Sequence, residues 1–269
     1  MCGYKRDAYP ATEKELIEQV DYALSKPTPV VKIFTSGSFF DEREISPKVR
    51  EYIIKKVEDL GVEKLIVESR PEFITEKRLM DFKGINLEVG IGLETANDFI
   101  REYCINKGFG FKDFERASKL LKSYGFRVKA YLLLKPPFLS EREAIEDVIT
   151  STEKIKDLVD VVSINPTNVQ KDTFVERLWK KGLYRPPWLW SAVEVLKRIE
   201  IDAICDPVAA GKIRGPHNCG KCDRIVAKAI RDYSLFQDKT VFESLNCDCI
   251  AKWRRTIELE DYTRIPLFK

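Results

Sequence analysis

Long apolar runs are missing from this 269-residue chain. No stretch of about 18 apolar residues occurs, so no membrane-spanning helix is expected. No charged opening followed by an apolar core marks a secretory leader either. Internal repeats, low-complexity segments and flexible linkers are also absent, which excludes solenoids and strings of small modules. Histidine occurs once, methionine twice, and glutamine is scarce, while 33% of residues are charged, mainly Lys and Glu. That balance resembles hyperthermophile proteins, in which ion-pair networks are favoured. The 44% apolar content is ordinary for a globular protein. The length suits one large α/β domain, with or without a small appendage.

Cysteine is not scarce. Seven cysteines with no targeting segment argue against a disulfide scaffold and for thiol–metal chemistry in a reducing compartment, here the cytoplasm. Four of them form two short pairs, Cys219-Gly-Lys-Cys222 and, after a helix-length insert, Cys247-Asp-Cys249. Short spacings let two thiolates reach one ion from a tight turn, and a distant second pair closes a tetrahedral shell. His217, two residues before the first pair, is a candidate ligand or supporting group. The metal is zinc or an auxiliary iron–sulfur cluster, since thiolates suit both, and the closed four-cysteine shell favours zinc. Cys104 and Cys205 read as buried residues. The net charge is +3. Residues 205–269 hold 12 of the 46 basic and 9 of the 43 acidic residues, leaving 34 of each before them. All the positive excess therefore lies beside the cysteine pairs, as a polyanion partner would require.

Elsewhere, β-rich runs alternate with helical patterns. Strands are expected at 30–35, 64–67, 87–93, 127–134, 159–164 and 201–205. Helices are expected at 13–24, 47–60, 75–82, 112–124, 141–155, 174–181 and 188–199. Such alternation means βα units and a parallel sheet, an α/β fold. Polar groups follow five consecutive strands: Ser36-Gly37-Ser38, Glu68-Ser69-Arg70, Glu94-Thr95, Lys135-Pro136-Pro137 and Asn165-Pro166. Ligands of parallel α/β sheets sit at the carboxyl ends of the strands, so these groups are expected to share one cleft. The first helix has no strand before it, and Cys2-Gly3-Tyr4-Lys5 reads as the middle of a loop, so the chain is expected to begin inside a first βα loop.

The segments TSGSFFDEREI (35–45), LEVGIGLETANDFIREYCINKG (87–108) and KAYLLLKPPF (129–138) resemble radical SAM enzymes of the Elongator-catalytic-subunit type. Within that group, MCGYKRD, INPTNVQKDTFVERLWKKGLYRPP (164–187) and GKIRGPHNCGKCD with the later CDC are most similar to the radical SAM subunits of archaeosine synthases. The resemblance spans nearly the whole chain. The cysteine pairs and the Cys-Gly-Tyr-Lys opening are its specific parts.

The resemblance implies a partial (β/α)6 radical SAM barrel lacking its first strand over residues 1–204, and a Cys-rich metal-binding extension over 205–269. It implies S-adenosylmethionine and a [4Fe–4S] cluster held by three cysteines. Cys2 matches the last of these, and the other two are expected upstream of Met1, unless the cluster has been lost. Gly37, Ser38 and Phe39 match the segment that contacts the methionine amino group. Ser69, Glu94 and Lys135 are further cofactor-site candidates, with Glu94 suited to ribose hydroxyls or the sulfonium side. Lys107 could reach a carboxylate or phosphate, and Tyr184 is read as aromatic packing or a substrate-mouth residue. No catalytic residue is assigned. The implied reaction is reductive cleavage of S-adenosylmethionine to a 5′-deoxyadenosyl radical. That radical abstracts hydrogen from a lysine adduct on a D-loop 7-deazaguanine of tRNA, and C–N cleavage then leaves the formamidine of archaeosine. The implied partners are tRNA and a lysine-transferring subunit. The alternatives are another radical SAM enzyme modifying tRNA or a small molecule, and a non-catalytic tRNA-binding subunit.

Overall fold

Among the described residues, six short runs rich in Val, Ile and Leu form one all-parallel sheet. They are β1 (Val30–Ile33), β2 (Lys64–Glu68), β3 (Leu87–Glu94), β4 (Arg127–Leu134), β5 (Val161–Pro166) and β6 (Ala203–Ile204). Each strand pairs with its neighbours in chain order, and β1 and β6 remain as the two edges, so the sheet is an open half-barrel. The central strands are buried almost without alternation, as expected when both faces of a sheet are covered. The structure, a computed structural model, describes residues 3, 8–26, 28–35 and 37–268. Cys2 and Ser36 lie outside the described residues.

The helices are α1 (Glu13–Ala23), α2 (Pro47–Asp59), α3 (Glu76–Leu79), α4 (Phe111–Ser123), α5 (Glu141–Ile155), α6 (Phe174–Lys180), α7 (Leu189–Arg198), α8 (Asp223–Phe236) and α9 (Cys249–Thr263). Their starts follow local chemistry. Thr12 and Ser140 form capping boxes with Glu15 and Glu143, and Ser46 caps α2 ahead of Pro47. One six-residue π-helix, Ile100–Ile105, was not expected.

Three strands depart from the sequence expectation by two residues or more: β1 ends at Ile33 and not at residue 35. β5 starts two residues late, because Asp160 turns its carboxylate onto the Val128 N–H at 2.7 Å. β6 shrinks to two residues because α8 takes over its edge. The Gln237 side-chain amide bonds both the N–H and the carbonyl of Ala203, at 3.0 and 2.8 Å, and the Ser234 hydroxyl accepts from the Cys205 N–H at 2.8 Å. An edge strand covered this way offers no template for further pairing.

One hydrophobic cluster runs from the strands through α7 into the C-terminal helices and includes Val226, Ile230, Cys222 and Cys249. Among the described residues, no helix is long and apolar enough to cross a membrane.

Candidate active-site cleft and metal centre

A cleft of about 640 Å³ opens at the carboxyl ends of β1 to β5, lined by Phe34, Gly37, Glu68, Ser69, Arg70, Glu94, Lys107, Phe109, Tyr131 and Asn165 among others. Its floor depends on two glycines of β3. A β-carbon at Gly90 would come within 2.8 Å of the Tyr131 ring, and one at Gly92 within 2.7 Å of Lys107 Nζ. Glycine here leaves room for groups from neighbouring elements and for a ligand close to the backbone.

The β3–β4 register shifts between Gly92 and Glu94, and Glu94 has φ of +66°. Positive φ at a non-glycine residue is costly and is concentrated at functional sites. Here it sets the Glu94 carboxylate on the cleft wall, where Lys107 holds it at 2.6 Å. Glu68 faces the same space. Burial pushes its pKa up, against the hydrogen bond from Tyr131, whose own pKa burial and Glu68 raise. Arg70 stiffens the rim by bonding the Lys107 carbonyl at 2.9 Å and lying 5.3 Å from the Phe109 ring centroid. The carboxylates and amide offer acceptors to ribose hydroxyls, and Glu94 can balance a sulfonium charge. Gly3, which follows Cys2 in the chain, donates its N–H to Gln170 Oε1 at 2.5 Å, in the loop after β5 on this same side of the sheet.

Gly37, Ser69 and Glu94 thus come together in the cleft, as does Lys107. Phe39, Ser38 and Lys135 do not. Phe39 is fully buried and packs edge-on against Phe40 and Phe82, so only its backbone, bonded to the Glu68 carbonyl at 2.8 Å, bears on the site. Ser38 is equally buried and uses its hydroxyl to accept from the Arg70 N–H at 3.0 Å. Lys135 has φ of +61°. Its ammonium lies between Glu141 at 2.6 Å and Glu260 at 3.2 Å. Tyr184 is buried with its hydroxyl on the Lys135 carbonyl at 2.7 Å, which is the packing role. Cys205 is buried, and Cys104 is half-buried. Tyr131 and Phe109 were missed as cleft residues. The signal for Tyr131 was the pair of glycines on the adjacent strand.

The second centre is built by Cys219, Cys222, Cys247 and Cys249, whose sulfurs all lie within 4.8 Å of one another. The 219–222, 219–247 and 222–249 separations are 3.9, 3.7 and 3.6 Å. A tetrahedral ion with metal–sulfur bonds of about 2.3 Å has sulfur–sulfur edges of about 3.8 Å, so the four thiols fit a single metal ion. Asp223, at the start of α8, shapes the first turn by accepting from the N–H groups of Asn218 and Gly220 at 2.8 and 2.7 Å. The Trp190 indole N–H donates to Cys249 Sγ at 3.2 Å, and the Asn218 amide to Cys222 Sγ at 3.3 Å. Such outer donors stabilise thiolate ligands. Burial pushes the Cys222 thiol up to about 11. At Cys219 burial is outweighed by the backbone N–H groups of Lys221 and Cys222, which bring it down to about 7. His217 is not part of the set. Neither ring nitrogen joins the four sulfurs, and its Nδ1 is 2.8 Å from the Gly215 carbonyl in the preceding turn.

A separate hollow of about 870 Å³ lies between the π-helix and α5, and it includes Asp147. Asp147 Oδ1 accepts from Thr95 at 2.7 Å, while Oδ2 is buried without a partner among the described residues. Burial raises its pKa from 3.8 to about 6, against the Thr95 hydrogen bond and Arg101. The folded protein therefore holds this proton more tightly than the unfolded chain does. The resulting stability is complete below the unfolded pKa and is lost as pH rises through the folded one. Relative to Asp147→Asn, which cannot titrate, the wild type should gain about 1 kcal/mol between pH 7 and pH 5. Melting temperatures of the two proteins across that range check this, and parallel curves would refute it.

The half-barrel with ligand groups at its strand ends matches a known class: the Radical SAM superfamily model aligns with residues 1–149. The fold resembles the solved structure of Methanocaldococcus infernus Elp3 with an N-terminal deletion, at a TM-score of 0.59 and 19% identity, over 87% of this chain and 61% of that one. Archaeosine synthase subunit beta of Methanosarcina acetivorans is 45% identical over 98% of this chain and 81% of its own length. The Thermococcus kodakarensis protein of the same name is 42% identical over 96% and 85%. The chain belongs to the radical SAM superfamily and, within it, to the family of archaeosine synthase subunit beta.

Proposed function

We propose that this chain is the radical SAM subunit of an archaeosine synthase, a cytoplasmic tRNA-modifying enzyme. It would act on a lysine adduct of 7-deazaguanine in the tRNA D-loop, breaking a C–N bond to leave archaeosine, beside a subunit that attaches the lysine. The observation that carries this reading is near-full-length identity of 45% to a protein bearing that name. The superfamily implies S-adenosylmethionine and a [4Fe–4S] cluster, with Cys2 one of the cluster ligands. When bound, that pair supplies a 5′-deoxyadenosyl radical.

The chain's own residues supply orientation. Glu94, fixed by Lys107, and Glu68, braced by Tyr131, take the ribose and sulfonium side. Gly90 and Gly92 let the cofactor lie close to β3, while Phe34 and Phe109 help to exclude water. A tRNA base has to leave its stack to reach this depth. The C-terminal metal is assigned as zinc in a structural role, because four cysteines close its shell.

Deleting the gene in its archaeal host and analysing tRNA nucleosides tests the reading. Archaeosine should disappear, the lysine adduct should accumulate, and the wild-type gene should restore the product. Unchanged archaeosine would overturn the proposal, and loss of a different modified nucleoside would assign the chain to another radical SAM tRNA reaction.

A further inference from the structure

Two phenylalanines stand exposed on the loops that leave the carboxyl ends of β4 and β5. Phe138 follows Lys135-Pro136-Pro137 and is 57% exposed, and Phe174, the first residue of α6, is 44% exposed. Their ring centroids are 5.9 Å apart, and the Arg177 guanidinium lies 5.2 Å from the Phe174 centroid. Phe138 has φ of +75°. A bulky residue in that region is strained, and an exposed ring recovers little burial in return. That combination is characteristic of a contact residue.

The helix that carries Phe174, with the residues just before it, is net positive. Residues 171–181 contain Lys171, Arg177, Lys180 and Lys181 against Asp172 and Glu176. Glu176 is buried and paired with Arg214 at 2.7 Å and Lys180 at 3.4 Å. Arg214 in turn lies 5.0 Å from the Trp179 ring centroid. Exposed aromatics interleaved with Lys and Arg suit a nucleic-acid strand, whose bases stack on rings and whose phosphates take the cations. The two loops follow the adjacent strands β4 and β5, and Asn165 of β5 and Tyr131 of β4 line the cleft.

We infer that Phe138, Phe174, Arg177, Lys180 and Lys181 form a platform that holds unstacked nucleotides of the RNA substrate beside the mouth of the barrel. This rests on the tRNA-modifying function proposed above. It places an RNA contact on the barrel itself, in addition to the basic C-terminal extension.

The test is binding of a fluorescently labelled tRNA to the full-length, metal-loaded protein over a range of salt. Phe138→Ala and Phe174→Ala should each weaken binding about ten-fold with an unchanged salt slope. The triple variant Arg177→Gln/Lys180→Gln/Lys181→Gln should lower the slope of log affinity against log salt by about 2 to 3. Lys55→Gln, on the exposed face of α2, should behave as wild type. Thermal melting of each variant guards against misfolding, since both rings are largely outside the core. If the wild type binds tRNA and all the platform variants bind equally well, the platform is overturned and the function stands. A wild type that binds S-adenosylmethionine but no tRNA would overturn the function and the platform together. Variants that keep tRNA binding but lose a co-purifying protein subunit would reassign the surface to that protein and overturn the RNA assignment.

Discussion

Cys249→Ser should release the C-terminal metal and lower the melting temperature by roughly 6–20 °C. The serine oxygen cannot replace a thiolate in this shell, and the remaining three sulfurs leave an open, weak site. Structural zinc sites in small domains contribute on the order of 10 kcal/mol of apparent folding free energy, because the site does not exist in the unfolded chain. Here part of that is cushioned by the apolar packing of α8 and α9 against the barrel. A remaining loss of about 3–5 kcal/mol corresponds to roughly 6–20 °C in a chain of this size. Cys249 is the most consequential ligand to remove: it is buried, begins α9 and accepts from the Trp190 indole at 3.2 Å. Metal analysis and a melting curve check the expectation. One zinc per chain in the wild type and none in the variant supports the structural reading. Iron and sulfide at these four cysteines would overturn the zinc assignment, and an unchanged melting point would overturn the structural role.

The second large effect is expected at Lys135. Its ammonium sits between the carboxylates of Glu141 and Glu260, with all three residues buried. Glu141 is further held by the Trp188 N–H at 2.7 Å and the Ser191 hydroxyl at 2.5 Å, while Glu260 accepts from the Glu141 N–H at 2.7 Å. Removing the cation leaves two carboxylates facing each other away from water. Burial already raises the Glu260 pKa while Lys135 opposes that rise, so without the lysine one acid must take up a proton or the fold must open. Breaking a buried charge set by deleting one partner costs about 3–5 kcal/mol, or roughly 6–20 °C here. Lys135→Met should therefore melt early, and adding Glu260→Gln should recover much of the loss by removing the second charge. If the double variant is no better than the single, lost packing, not the uncompensated charge, accounts for the effect.

Lys135 also shows where reading the chain alone stops. That polar groups gather at the ends of parallel strands was legible, because the strands were visible as β-rich runs and the rule about their carboxyl ends is topological. It collected Gly37, Ser69 and Glu94 correctly into one cleft. The rule does not say which way a side chain turns once the strand has ended. At Glu94 a register shift with positive φ keeps the carboxylate in the cleft, whereas at Lys135 positive φ accompanies burial against α9, a helix that periodicity did not reveal. Phe39 likewise follows a ligand-like glycine, but its ring completes an aromatic cluster with Phe40 and Phe82. The cysteine spacing was sufficient to pick out the four thiols that come within reach of a single ion. The neighbouring histidine was not readable from spacing: neither of its ring nitrogens joins the group of four sulfurs, and its Nδ1 lies against the Gly215 carbonyl.

The same buried lysine has a bearing on how the protein is made. Glu141 follows Lys135 by six residues, yet Glu260 lies 125 residues further along the chain than the lysine. Synthesis runs from the N-terminus, and domains tend to fold as they emerge. A nascent chain that has delivered all six strands still carries one corner of its barrel, at the end of β4, with a carboxylate missing. Assembly of that corner must wait for α9, the same helix that brings Cys249 to the other three cysteines. Metal capture and completion of this corner of the half-barrel are thereby tied to one helix, α9.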